Sequence, residues 1–350
     1  MPPSLRADLS AALTPLFLHI YNSMKVLRAF RTSALFVGSV VGAGFATGQE
    51  VLLFFGSDGA GSLLLASLFM SLCSFAFMQI GAKKGMNVKV AFTTDALVSL
   101  SSFAVYAAMI AAAEEVLAGL TGQNGLSVLL AVGVGVLSGK GRERLATLNL
   151  LAVPLMAAII AVVGARSGGA VVGGFRPLSA LAYGGMNLLF SGALMLKEGE
   201  ESTLAERLMA SLVSGGVIFL MLFFMRRAVS AGSDMPFLDA AFREGLGTAA
   251  QIGVLLAIVT TMASCAFLTA DRLAALTRDP LFAVSLVTLV GILLSLFGFA
   301  AIVRTSYPVV SYLGLAATLF ALGYSLFDFL RKGGRGILAK FSFRKTRVGD

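Results

Sequence analysis

Tryptophan is absent from the 350 residues, histidine occurs once (His19) and cysteine twice (Cys73 and Cys265). That scarcity excludes a zinc cluster, a haem attachment and a disulfide framework. Both cysteines lie inside apolar blocks and read as small buried hydrophobes. Charge is scarce as well: 13% of residues are Asp, Glu, Lys or Arg, against about 25% in a soluble domain. No nucleophile–base pair and no organic-cofactor motif stands out, so the chain does not read as an enzyme. The segment Gly135-Val136-Leu137-Ser138-Gly139-Lys140-Gly141 looks like a phosphate loop, but its spacing is wrong and no Ser or Thr follows the lysine.

What the chain has instead is apolar length. Hydrophobic residues make up 57% of it and the mean hydropathy is +0.90. The apolar residues come in blocks of about 20, enough to span a hydrocarbon core about 30 Å thick. Gly, Pro and charge punctuation yields ten candidate spans at roughly 31–55, 60–82, 95–119, 125–139, 145–165, 177–196, 204–227, 247–270, 280–303 and 308–330. The expected class is therefore an all-α polytopic membrane protein with the lipid bilayer as its solvent. It divides into an N-terminal extension (1–27), a ten-helix core (28–330, in halves of about 28–165 and 177–330) and a basic tail (331–350). Met24 reads as the natural start, with residues 1–23 an upstream extension. The tail suits anionic lipid. The segment Met235–Glu244 places Phe237, Leu238, Ala241 and Phe242 on one face, as in a short helix lying on the membrane surface.

The net charge of +9 reports topology rather than nucleic-acid binding. Of 27 Lys and Arg, only Arg166, Arg176, Arg226, Arg227, Arg243 and Arg304 fall in one set of alternate loops. The positive-inside rule then puts both termini in the cytoplasm of a cell-membrane protein and Arg226–Gly245 outside.

Two spans carry clustered glycine and polar residues near mid-membrane. Span 1 contains Gly38-Ser39-Val40-Val41-Gly42-Ala43-Gly44-Phe45-Ala46-Thr47-Gly48-Gln49-Glu50, and span 6 contains Ala182-Tyr183-Gly184-Gly185-Met186-Asn187. Small residues of this kind often serve close helix packing. Their occurrence in the first span of each five-span half instead points to a 5+5 inverted repeat, with helices 1 and 6 broken around a midplane site. Half-helices starting near Ala46–Thr47 and near Asn187 would aim positive ends at the centre. Those ending near Val41–Gly42 and Tyr183–Gly184 would offer bare carbonyls. A small zwitterion fits both demands, with Gly42, Ala43, Gly44, Phe45, Tyr183, Gly184 and Asn187 around it.

The string Gly38–Glu50 resembles the signature of the YkvI-like bacterial membrane proteins, of the amino acid–polyamine–organocation superfamily with the leucine-transporter (LeuT) fold. The resemblance covers about residues 28–330. It implies a secondary transporter that moves a small organic solute, an amino acid by expectation, by alternating access and without an obligatory protein partner. It also implies one Na⁺ site, matched by the carbonyls of Gly38, Val41 and Ala257 and the hydroxyls of Thr260 and Thr261; neutral oxygens of this kind suit a hard cation. Tyr106 matches the aromatic residue that closes over substrate from helix 3 in relatives. Three positions depart from the family pattern. Phe45 stands where some members carry an Asn for a second sodium, Gly48 where some carry a gating Arg, and span 5 lacks the lysine of proton-coupled members.

Ionisable residues inside a membrane are functional candidates by default. Glu50 follows the first break and is expected to face an outer vestibule. Glu114 and Glu115 stand at the outer end of span 3, about 100° apart, so both cannot face one cavity. These three are the candidates for gating or for proton coupling, the alternative to sodium. A non-transporting receptor or sensor on the same scaffold is the alternative from another class.

Overall fold

The computed structural model describes residues 25–83, 88–138, 142–230 and 232–345, and every described element of any length is a helix. In chain order these are α1 (25–40), α2 (Ala43–Ala46), α3 (Gln49–Phe55), α4 (Ala60–Ala82), α5 (Val88–Thr121), α6 (Leu126–Ser138), α7 (Arg142–Arg166), α8 (Pro177–Glu201), α9 (Leu204–Ala228), α10 (Pro236–Arg243), α11 (Gly247–Thr277), α12 (Pro280–Ser295) and α13 (Phe299–Lys345). The expectations for residues 1–23 lie outside the described residues.

The helix starts carry conventional signals. Pro177 and Pro280 occupy first helical positions, where a missing N–H costs nothing. The carboxylate of Asp279 accepts from the N–H groups of Leu281 and Phe282, both at 3.0 Å. Thr203 and Glu206 form a reciprocal capping box at the head of α9.

Polarity is inverted relative to a soluble bundle. On α4, Leu68 and Leu72 are 51% and 68% exposed, whereas Ser67, Ser71 and Ser74 are buried. The Ser71 hydroxyl donates to the Ser211 carbonyl of α9 at 2.7 Å, and Ser74 to the Ser211 hydroxyl at 3.2 Å. Leucine outside and hydroxyls between helices is the arrangement that lipid favours. Among the described residues, six helices can cross a membrane by length and composition: Ala60–Ala82, Val98–Thr121, Pro177–Glu201, Leu204–Ala228, Gly247–Thr277 and Phe299–Tyr324.

Three expectations are corrected. The break in helix 6 is absent: α8 runs unbroken through Tyr183–Asn187. Its glycines serve packing instead. A Cβ on Gly184 would lie 2.6 Å from the Phe69 ring of α4, and one on Gly185 would strike the backbone of Leu315 on α13. Thinning α8 on two sides lets it pack closely against both neighbours, which offsets a propensity cost of about 1 kcal/mol per glycine. The boundary between the last two spans is also earlier than expected. The chain turns at Leu296–Gly298, where Gly298 takes φ +84°, and α13 then continues through Arg304 and Pro308. That helix extends into the basic tail as far as Lys345. Finally, α10 does not lie on the membrane surface: Phe237, Leu238, Ala240 and Ala241 are buried, and only Phe242 of the expected apolar face is exposed.

Candidate functional site

Helix 1 is broken where the glycines cluster. The Val41 N–H still reaches the Val37 carbonyl at 2.7 Å, but the Gly42 N–H turns to Val40 at 2.9 Å. The carbonyl of Gly38 thereby loses its ladder partner, and Val41 and Gly42 leave the helix. The short α2 follows, and just beyond it the Thr47 hydroxyl donates back to the Gly44 carbonyl at 3.1 Å. Gly48, at φ +84°, then re-aims the chain into α3. No L-residue adopts that φ easily, and a Cβ there would also meet Val229 and Pro236.

Orphan backbone groups around the half-helix α3 have named partners. At its start the Thr47 carbonyl accepts from the Phe237 N–H of α10 at 3.0 Å. The Gln49 side-chain amide donates to the carbonyls of Ser233 and Asp234, both at 2.8 Å. At its end Arg226 donates to the carbonyls of Phe55 and Gly56 at 3.0 and 2.9 Å. Arg176 and Ser179 both donate to Phe54, at 3.1 and 2.6 Å. Arg176 is held in turn by the buried carboxylate of Asp58. Irregular backbone at membrane depth persists only with such partners.

A cavity of about 350 Å³ borders this break. At one end it meets Arg31, Lys197 and Glu198, where Arg31 and Lys197 are exposed. At the other it meets Gly44, Glu50 and Tyr307, with Glu50 only 5% exposed and Tyr307 buried. The cavity is thus open toward the start of α1 and closed on the side of α10.

The walls bring together Gly38, Gly42, Gly44, Glu50, Asn187, Thr260 and Thr261 from the expected set. Gly42 lies against Thr261 of α11, such that a Cβ there would be 3.3 Å from the threonine Oγ1. Thr260 donates to the Ala257 carbonyl at 3.0 Å, which puts those two oxygens side by side. Val41 is buried at the break. Asn187 donates its side-chain amide to the Tyr183 carbonyl at 3.0 Å.

Other expected residues lie elsewhere. Phe45 is packed in the core, and the side chain of Ala43 lies outside the described residues. Tyr183 stacks edge-on against Phe54 and Phe55, and Gly184 faces α4. Tyr106 does not close over the cavity. Val105 and Met109, four residues apart on α5, line the cavity, while Tyr106 points some 100° away. Its ring rests on Gly291 of α12 and its hydroxyl on the Ala131 carbonyl at 3.4 Å. Glu114 is a loop cap: its oxygens accept from the N–H groups of Gly125 at 2.6 Å and Ser127 at 3.3 Å. Glu115 is exposed and does not line the cavity. Glu50, expected in an outer vestibule, is instead buried at the cavity's closed end, folded back against the α-carbon of Gly44. One of its oxygens, Oε2, has no hydrogen-bond partner.

Ser264, Cys265 and Tyr307 also line the cavity and were not anticipated. Ser264 was within reach of the sequence, since it stands three and four residues beyond Thr261 and Thr260 on one helix face. Nothing local distinguishes Tyr307.

Neither a protein-family model nor a curated relative matches the chain. Solved structures do. One is Mhp1, a transporter of the nucleobase-cation-symport-1 family in a closed conformation with bromovinylhydantoin bound. It is 16% identical, with a TM-score of 0.54 over 83% of this chain and 75% of Mhp1. Another is the Eremococcus coleocola manganese transporter in complex with an aromatic bis-isothiourea substituted compound. It is 13% identical, with a TM-score of 0.55 over 88% of this chain and 79% of that one. The chain shares its fold with these transporters, in agreement with the fold that the resemblance in Gly38–Glu50 implies.

Proposed function

We propose that this chain is a secondary active transporter of a small organic solute, working by alternating access and coupled to Na⁺. Ten segments cross the membrane in this reading, with helix 1 broken at the transport site. An amino acid is the solute class expected from the resemblance. The observation that carries the reading is the cavity itself, which borders the interrupted helix and whose lining is exposed at Arg31 and Lys197 but buried at Glu50 and Tyr307. A continuous channel would be lined by exposed residues at both ends. The shared fold supports it.

The sodium site comprises the carbonyls of Gly38, Val41 and Ala257 with the hydroxyls of Thr260 and Thr261. The contact of Gly42 with Thr261, which sets the break in helix 1 beside α11, supports this placement. Equilibrium binding of ²²Na⁺ to the purified protein tests it. Thr261→Ala removes one ligand oxygen and should weaken binding by about 1–3 kcal/mol, as for a lost buried polar partner, or roughly five- to 150-fold. Thr261→Ser should retain most of it. Absence of saturable ²²Na⁺ binding to the unmodified protein would overturn sodium coupling.

One observation favours proton coupling as the second reading: the buried Glu50 carboxylate faces the cavity with an oxygen unpartnered. Uptake into proteoliposomes in sodium-free buffer, with and without an imposed pH gradient, separates the two. Acceleration by the gradient that Glu50→Gln abolishes supports the proton.

A further inference from the structure

Cavity-facing positions recur at helical spacing on three walls: 31, 35 and 38 on α1, 187, 190, 194 and 197 on α8, and 261, 264 and 268 on α11. From the exposed mouth inward, the walls change character in one order. Arg31 and Lys197 form a basic lip. An apolar collar of Leu35, Phe190, Leu194, Phe267 and Leu268 follows, and the polar floor around Gly38, Thr260 and Thr261 lies beyond it. The floor serves the transport reading. The lip and the collar have no part in it.

Two features make lip and collar a site of their own. Phe190, Leu194, Phe267 and Leu268 are half-buried rather than packed away, in a mouth whose rim is exposed. Apolar surface left open beside charged groups marks a place where something binds. The lip, in turn, is positive and unneutralised. Glu198, the carboxylate lining the mouth, already accepts from the Thr32 hydroxyl at 3.0 Å. Neither Arg31 nor Lys197 is ion-paired among the described residues. The Thr32–Glu198 bond also ties α1 to α8, which sets Arg31 and Lys197, the chain neighbours of its two ends, at one level. Two cations and one carboxylate leave a single positive charge there, which suits a monoanion.

We propose that the mouth binds a single-chain carboxylate of about eight carbons, with its head on Arg31 and Lys197 and its tail against the collar. A guanidinium can grip a carboxylate through two parallel hydrogen bonds. Phe190 is seven positions from Lys197 on α8, or about 10 Å at 1.5 Å per residue. A chain of about eight carbons, with bonds near 1.5 Å, has that length. The cavity volume of about 350 Å³ is near the small end of ligand pockets, roughly 300–1,000 Å³, so it suits one chain rather than the two of a phospholipid. The tail stops short of the floor and stands between it and the exposed end. Under the transporter reading the carboxylate is therefore a blocker, not the solute; its binding does not depend on that reading.

Octanoate, butyrate and octylammonium, titrated calorimetrically into the full-length protein in phosphatidylcholine nanodiscs and corrected for empty nanodiscs, test it. Octanoate should bind at least about tenfold tighter than butyrate, since each buried methylene is worth roughly fourfold. It should exceed octylammonium, which has the same tail and the wrong charge, by at least about tenfold. Combining Arg31→Gln with Lys197→Gln should weaken octanoate by about two- to 30-fold, the product of two exposed ion pairs, and remove its advantage over octylammonium. Butyrate or octylammonium binding as tightly as octanoate overturns the proposal, and so does undetectable octanoate binding or an affinity that the paired variant leaves unchanged. Should that variant not fold, the two rankings in the unmodified protein decide alone. Octanoate should also protect Cys265, on the wall beyond the collar, from methyl methanethiosulfonate in the Cys73→Ser protein. Binding that leaves this modification unchanged places octanoate elsewhere and overturns the site. Calorimetry needs no translocation, so a failure of solute uptake by proteoliposomes removes the transporter reading and leaves the octanoate site standing.

Discussion

Gly184 and Gly185 stand side by side in α8, and each serves a different neighbour. The first makes room for an aromatic ring on α4, the second for the main chain of α13. The two contacts differ in how far they can yield. A ring can rotate, whereas the Leu315 backbone cannot move without shifting α13. Gly185→Ala should therefore destabilise the protein by about 1–3 kcal/mol, the cost of overpacking. Gly216→Ala on α9, where a Cβ meets nothing within 4 Å, should be neutral or stabilise by up to about 1 kcal/mol through helix propensity. Thermal unfolding of the two variants in the same detergent checks the contrast, and equal melting temperatures would sink the packing explanation. The same letters explain why half of the expected site was misread. A glycine that admits a neighbour and one that interrupts a ladder are identical in sequence. What marks helix 1 as broken is a third glycine at +84°, reinforced by a hydroxyl returning to the chain at Thr47 and a partnered amide at Gln49. Span 6 had only the pair. Tyr106 and Glu114 were misread for a related reason: a helix position can be inferred from spacing, but which neighbour it meets cannot.

At the scale of elements, α3 is a half-helix clamped at both ends by different partners. Arg176, Ser179 and Arg226 hold its last carbonyls, so it is tied to α8 and α9. Its first turn is held by the α10 region, through Gln49 and Thr47. The second attachment covers the start of α3, next to the cavity-lining Glu50, and it consists of few bonds. Removing the two donated by Gln49 should cost about 1–3 kcal/mol at about 0.5–1.5 each, a shift of roughly five- to 150-fold in the open-to-closed ratio. Gln49→Leu should accordingly speed amide hydrogen exchange across 233–245 while leaving α4 unchanged. Unaltered exchange in that segment would mean that apolar packing of Phe237 and Leu238, not Gln49, holds α10 down. The sequence foresaw α10 as a short amphipathic helix to within a residue or two, but gave it the wrong solvent. An apolar face reads the same whether it meets lipid or a gap in another helix.

For the whole molecule, orientation and conformation meet in one residue. The membrane-spanning helical class was legible from composition and block length, because lipid imposes apolar length on every span; the hydroxyls buried between helices were not. Which way the cavity opens was not, because it depends on contacts such as Gln49 with residues 184 and 185 positions away. The exposed end carries Arg31 and Lys197, and in the orientation expected from the loop charges that end would face the cytoplasm. Cys265 lies on the cavity wall, whereas Cys73 is packed within α4 and does not line it. A small membrane-impermeant methanethiosulfonate with a cationic head should therefore modify Cys265 from the cytoplasmic face. Inverted membrane vesicles should label, right-side-out vesicles should not, and Cys265→Ser should abolish the signal while Cys73→Ser leaves it. Labelling from the outer face would reverse the assigned orientation, or show that the protein rests with its outer side open. The α10 contact distinguishes these two cases. If Gln49→Leu increases outer-face labelling, the orientation stands and the resting state differs; if it has no effect, the loop-charge argument has failed.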